Sequence, residues 1–407
     1  MSPRPAAPKG ARTSARQGEG PPMTDDFALP ATPIAVARVE AHVFRYPVKT
    51  PVRTSFGVMH DRPAVFVRVE DEDGAAGWGE IWCNFPACGA EHRARLLETV
   101  AAPLLAGRHF EGPADAWRML TERTAVLAIQ SGEPGPIAQT LAGIDLALWD
   151  LSARRAGQPL WRHLGGVRGR VPVYASGINP DQPERMAMRR RDEGYRAFKL
   201  KIGFGPERDL ANLDAMRQAL GEDAELMADA NQGWTLDEAQ HMAPRLEPYR
   251  LRWLEEPLRA DRPWDEWRAL KAATTIPLAG GENIAGAEAF DAALRADVLS
   301  VLQPDAAKWG GISGCWPAIR RAQAAGLRYC PHYLGAGIGL LASAHLLAAA
   351  GGDGLLEVDA NDNPLRTALA PALQRIDGEG CIDLGEAAGI GITPELREIA
   401  EAVRAAA

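Results

Sequence analysis

The stretch Trp253-Leu254-Glu255-Glu256-Pro257 ends an apolar run on two carboxylates and a proline. Asp229 stands 26 residues upstream, closing Glu225-Leu226-Met227-Ala228-Asp229, and Glu282 stands 27 residues downstream, after Ile276-Pro277-Leu278-Ala279-Gly280-Gly281. Three short apolar runs thus finish on an acid at a nearly constant step. One strand-plus-helix unit of a (β/α)8 barrel takes about 30 residues, and parallel barrel strands all end on one face. The spacing therefore predicts three acids converging at the mouth of a barrel.

Working outward, short apolar runs alternate with amphipathic helical patterns from Val171 onward. Strands are expected at 171–176, 197–202, 225–229, 252–255, 277–280, 298–302, 328–331 and 354–358, eight in all, which closes a barrel. Upstream, 34–46, 64–70 and 76–81 alternate apolar and polar residues and predict an antiparallel sheet, with a turn at Asp71-Glu72-Asp73-Gly74. Helical patterns follow at about 90–105, 114–127 and 135–156, the last carrying Leu141, Ile144, Leu148 and Leu151 on one stripe. The expected organisation is a disordered leader over 1–33, an α+β capping domain over 34–165, the barrel over 166–370, and a segment over 371–407 that packs back on the cap.

Composition narrows the classes of function. The chain has 407 residues, 46% hydrophobic and 24% charged, with a net charge of -8, which argues against nucleic acid or an anionic membrane as partner. No run of 18 apolar residues is present, so no membrane span is expected. Cys83, Cys88, Cys315, Cys330 and Cys381 are scattered, odd in number and without C-x-x-C pairing, which fits reduced thiols in a cytoplasmic protein.

The polar residue at each strand end defines the chemistry. From Lys199-Leu200-Lys201 the successive positions are Lys201, Asp229, Glu255, Glu282, Asp305, His332 and Glu357, with steps of 28, 26, 27, 23, 27 and 25. Asp229, Glu255 and Glu282 are hard oxygen ligands with no Cys or His among them, which suits Mg2+ and argues against zinc. Glu256 is expected to point away from Glu255 if the strand continues. Lys199 and Lys201 share one side of their strand, and a neighbouring cation and ammonium group are expected to lower a lysine pKa, making Lys201 a general base. His332 and Asp305, from neighbouring strand ends, read as a dyad in which the carboxylate fixes the imidazole tautomer.

Lys199-Leu200-Lys201, Asp229-Ala230-Asn231, Leu254-Glu255-Glu256-Pro257, Gly281-Glu282-Asn283, Gln303-Pro304-Asp305, Pro331-His332 and Glu357, in this order, resemble the mandelate racemase-like branch of the enolase superfamily, from about residue 34 onward. The resemblance implies a modified TIM barrel, (β/α)7β, under an α+β N-terminal capping domain, in a homo-oligomer. It implies that Asp229, Glu255 and Glu282 hold Mg2+ against a substrate carboxylate, and that Lys201 and His332 flank the carbon beside it. It also implies that Lys199 stabilises the growing charge and that Glu357, when protonated, donates a hydrogen bond.

The shared step is proton abstraction alpha to a carboxylate. The expected outcome is dehydration of an acid sugar, an aldonate or aldarate, to a 2-keto-3-deoxy acid. Racemisation of a hydroxy acid and cycloisomerisation of a sugar lactone are the alternatives within the chemistry, and a binding barrel without turnover is the alternative outside it. The cap loops 51–60 and 82–88 supply Arg53, Thr54, His60 and Asn84 as candidate substrate contacts, joined by Asn231 and Lys308 from the barrel.

Overall fold

The computed structural model describes residues 29–53 and 57–406. Most of the expected leader, residues 1–28, and the candidate contact Thr54 lie outside the described residues.

The N-terminal sheet has the order β3-β2-β1-β4, from β1 (Ile34–Arg53), β2 (Val58–Asp71), β3 (Ala76–Ile81) and the short β4 (Arg108–Phe110). β1 is longer than its alternation predicted. It runs on to pair Val52 with Met59 and Arg53 with Val58, so much of the expected 51–60 loop belongs to the arms of a hairpin. The helix Pro134–Arg155 lies on this sheet. A Cβ on Gly79 would come far inside contact distance of the Gly143 carbonyl oxygen, so strand and helix meet backbone to backbone. Leu141, Ile144, Leu148 and Leu151 enter the core of the cap, while Leu146, Trp149 and Ala153 on the other side enter the core of the barrel. A helix apolar all round is one buried on both sides.

The barrel strands are β5 (Arg170–Ile178), β6 (Ala197–Lys201), β7 (Glu225–Asp229), β8 (Leu254–Glu255), β9 (Leu278–Gly280), β10 (Val301–Leu302), β11 (Arg328–Tyr329) and β12 (Leu356–Asp359). They form one parallel sheet in the order β11-β10-β9-β8-β7-β6-β5-β12. Its two end strands meet where Leu355 N–H donates to Cys330 Sγ at 3.3 Å, and a side chain on Gly354 would overlap the Tyr329 carbonyl. β13 (Cys381–Asp383) pairs antiparallel with β5, so this part of the tail joins the barrel, whereas the final helix Leu396–Ala406 contacts β1.

The interior is layered. Tyr174, Ala197, Met227, Trp253, Ala279, Val301, Cys330 and Leu355, one from each strand or its flank, form a buried apolar cluster. Side chains alternate along a strand, so residues two further on face the same interior one layer higher. Those residues are Ser176, Lys199, Asp229, Glu255, Gly281, Gln303, His332 and Glu357. The apolar layer is the floor on which the polar layer stands.

A candidate active site at the barrel mouth

Each basic side chain of the polar cluster is turned to an acid. Lys199 Nζ is bonded to Glu255 Oε1, lies 2.8 Å from Glu357 Oε1 and 3.9 Å from Asp229 Oδ2, and faces the Tyr174 ring. Burial opposes its charge, but Glu255 and Glu357 outweigh burial, so its pKa stands well above the ordinary lysine value rather than below it. Lys201 Nζ donates to Asn231 Oδ1 at 2.5 Å and lies 3.5 Å from Asp229 Oδ2. Asp229 is oriented by Asn231, whose backbone N–H and side-chain amide donate to it at 2.8 and 2.9 Å.

Glu255 accepts from Trp253 Nε1 at 3.0 Å and from Gln303 Nε2 at 2.6 Å. Burial pushes its carboxyl up to about 7, and Asp229 and Glu357 add to that against Lys199. Glu256 departs from the expected alternation. The strand stops at Glu255, and Glu256 takes a left-handed backbone (φ 38°). Its carboxylate is buried, accepts from Asn283 Nδ2 at 2.8 Å, and is raised well above the usual range first by burial and then by Glu282. Strand periodicity cannot report a turn that begins one residue early.

On the facing side, His332 Nδ1 is 2.7 Å from Asp305 Oδ2, and Nε2 is 2.9 Å from Glu282 Oε2 and 3.8 Å from Glu357 Oε2. Burial alone would lower the imidazole pKa; Glu282, Glu357 and Asp305 together hold it well above 6.5. Glu282 also meets Lys308 Nζ at 3.2 Å, and Lys308 lies over the Trp82 ring of the cap. Burial resists the charge on Glu282, but His332 and Lys308 prevail and its carboxyl is well below the usual range. Glu357 accepts from Ser176 Oγ at 2.5 Å and from Tyr333 N–H at 3.0 Å. Lys199 and His332 overcome its burial and depress its pKa, and in this arrangement it accepts.

With the two end strands in contact, β6 and β11 have β7 to β10 between them on one side and β5 and β12 on the other, so Lys201 and His332 stand on different walls of the mouth. Six carboxylates (Asp229, Glu255, Glu256, Glu282, Asp305 and Glu357) meet four basic groups (Lys199, Lys201, Lys308 and His332), mostly in full burial. The donor set of oxygen atoms and this negative surplus fit a divalent cation. Among the described residues, however, no three His, Cys, Asp or Glu side chains converge closely enough to enclose a metal ion, with Glu255 turned to Lys199 and Glu282 to Lys308.

The cap candidates are less uniform. Asn84 Nδ2 donates to the Leu334 carbonyl oxygen at 2.5 Å, beside His332. His60 is exposed on β2, and among the described residues no hydrogen bond or ion pair joins it to the cluster. Arg53 is described only through its backbone. Ser176, Tyr174 and Glu80 were not read from the sequence as site residues. Ser176 has a recoverable signal, its place two residues beyond a floor residue, but its strand carries an irregular register before Ile178 that breaks the count. All five cysteines are free, and no helix among the described residues is long and apolar enough to cross a membrane.

The chain matches the family described as Mandelate racemase / muconate lactonizing enzyme, N-terminal domain, over residues 38–165, and Enolase C-terminal domain-like over residues 183–399. It is 32% identical to D-galactarolactone cycloisomerase of Agrobacterium fabrum over 88% of this chain and 96% of that one. It is 29% identical to arabinonate dehydratase of Saccharolobus solfataricus over 82% and 89%. Among solved structures, a mandelate racemase/muconate lactonizing enzyme from Bordetella bronchiseptica RB50 is 63% identical, covering 91% of this chain and 100% of that one at a TM-score of 0.87. A racemase from Streptomyces coelicolor A3(2) with bound magnesium is 27% identical, covering 90% and 99% at a TM-score of 0.79.

Proposed function

Because the chain belongs to the mandelate racemase/muconate lactonizing enzyme family of the enolase superfamily, we propose that it abstracts the proton alpha to a carboxylate of an acid sugar, with Mg2+ as cofactor. The observation that carries this reading is the pair of bases on different walls of one mouth, Lys201 beside Asn231 and His332 on Asp305. A barrel that only bound a ligand would need neither.

Asp229, Glu255 and Glu282 are the residues that would hold Mg2+, and the magnesium named for the Streptomyces coelicolor neighbour supports the choice. When bound there, Mg2+ supplies a Lewis acid that polarises the substrate carboxylate. Lys201 or His332 takes the alpha proton; the C–H electron pair enters the carboxylate system and gives an enediolate. Lys199, cationic and enclosed, offers a positive charge where negative charge grows, which is worth more in a buried site than in water. Asp305 fixes Nδ1–H of His332 so that Nε2 is the working nitrogen. For the outcome, His332 protonates a departing beta-hydroxyl and water leaves, giving a 2-keto-3-deoxy acid from an aldonate or aldarate. The near-full-length likeness to a galactarolactone cycloisomerase favours a second outcome, ring opening or closure on the same enediolate.

Incubation with Mg2+ and a panel of aldonates, aldarates and their lactones in D2O tests both. A keto acid product carrying deuterium at C3, where the enol is reprotonated, supports the dehydratase, and deuterium with a new ring or an opened one supports the cycloisomerase. Absence of both deuterium exchange and product with every member overturns the proposal. Lys201→Ala and His332→Asn are each expected to lower turnover by about 10²–10⁴, the usual worth of a positioned acid or base.

A further inference from the structure

The segment from His332 to the helix Gly337–Ala350 is held at every residue. Asp305 holds the His332 ring, Glu357 accepts from Tyr333 N–H at 3.0 Å, and Asn363 Nδ2 donates to the Gly335 carbonyl at 2.9 Å. The other two anchors come from the cap. Asn84 Nδ2 donates to the Leu334 carbonyl at 2.5 Å, and Glu80, on β3, accepts from Ala336 N–H at 2.6 Å and Gly339 N–H at 2.9 Å. Glu80 is 2% exposed, and a side chain on either Gly335 or Gly339 would strike the Tyr333 ring, so the segment has no slack. The free N–H groups of a helix start favour a carboxylate, and this one is supplied by a different domain from the one that bears the helix.

We infer that Glu80 is a positioning residue for His332: by gripping the first turn of the following helix from the cap, it sets where imidazole Nε2 stands over the mouth. The inference rests on the two-base reading above. It separates the bases by origin, since Lys201 is fixed within the barrel by Asn231 and Asp229 while His332 is fixed partly by the cap. A shift of about 1 Å in a reacting group can cost 10²-fold in rate, so loss of this grip falls on one base and spares the other.

The test is alpha-proton exchange in D2O with Mg2+ on two C2-epimeric pairs, D-galactonate with D-talonate and galactarate with talarate, read by proton NMR. Lys201→Ala and His332→Asn assign each epimer to its base. Glu80→Ala is expected to slow exchange on the His332 side about 10–100-fold through kcat, with the Lys201 side and KM changed less than about 3-fold. Glu80→Gln, which keeps one acceptor oxygen, is expected to recover most of the loss. Asp145→Ala, which removes a cap acid from another barrel helix, is expected to lower Tm and leave the balance between sides unchanged. If Glu80→Ala does not fold, Glu80→Asp takes its place, one methylene too short to reach both N–H groups. Equal loss on both sides, or an unchanged balance in the Glu80 variants, overturns the inference. Absence of both exchange and keto acid with the wild-type protein overturns the reading of function instead.

Discussion

Lys199 is enclosed by Glu255, Glu357 and the Tyr174 ring with 1% of its surface exposed. A buried charge that loses its partner costs far more than an exposed one, about 3–5 kcal/mol. Lys199→Met is therefore expected to lower unfolding stability by roughly that amount, measured in urea with a chelator present, because Glu255 and Glu357 are left facing each other. Most site residues were legible at this scale because chemistry-bearing side chains recur two places beyond apolar ones, at a step set by the barrel. Glu256 was not, because a left-handed turn replaces the strand at that residue. Nor were the partners of Glu357, since Lys199 and Ser176 reach it from other strands.

Between elements, the cap is seated by acids placed at the starts of barrel helices. Asp145, on the helix Pro134–Arg155, accepts from Ser313 N–H at 3.0 Å and Ser313 Oγ at 2.5 Å, at the start of the helix Gly311–Ala324. Burial pushes Asp145 from 3.8 up to about 7 against those hydrogen bonds. Its folded pKa is raised, so the folded protein holds this proton more tightly than the unfolded chain. The stability it contributes is full below about pH 4 and is lost as pH rises through about 7, on the order of 2–4 kcal/mol. Asp145→Asn is expected to flatten the fall of Tm between about pH 4 and 7, which a series of thermal melts reads directly. The apolar stripe of this helix was visible in the sequence; its opposite face was not, because Leu146 and Trp149 have no periodic partner until the barrel is in place. The pairing of β13 with β5 was hidden likewise, since a three-residue strand has too little alternation to register.

Across the whole molecule, cap and barrel are joined by a buried ion pair, Arg62 Nη2 to Asp359 Oδ2 at 2.5 Å. Arg62→Met and Asp359→Leu are each expected to cost about 3–5 kcal/mol, and the double variant less than their sum, because neither charge is then left alone. Urea unfolding of the four proteins in a double-mutant cycle measures the coupling. The barrel was legible from its repeat, whereas contacts such as this one span residues 297 apart and leave no local pattern. The apolar floor under the polar layer has a consequence of its own. Eight side chains plug the lower end, so among the described residues the barrel is a cup closed below and facing the cap. Reactant and product must pass through the same door, one after the other, and the pace of each cycle includes the time the doorway takes to clear.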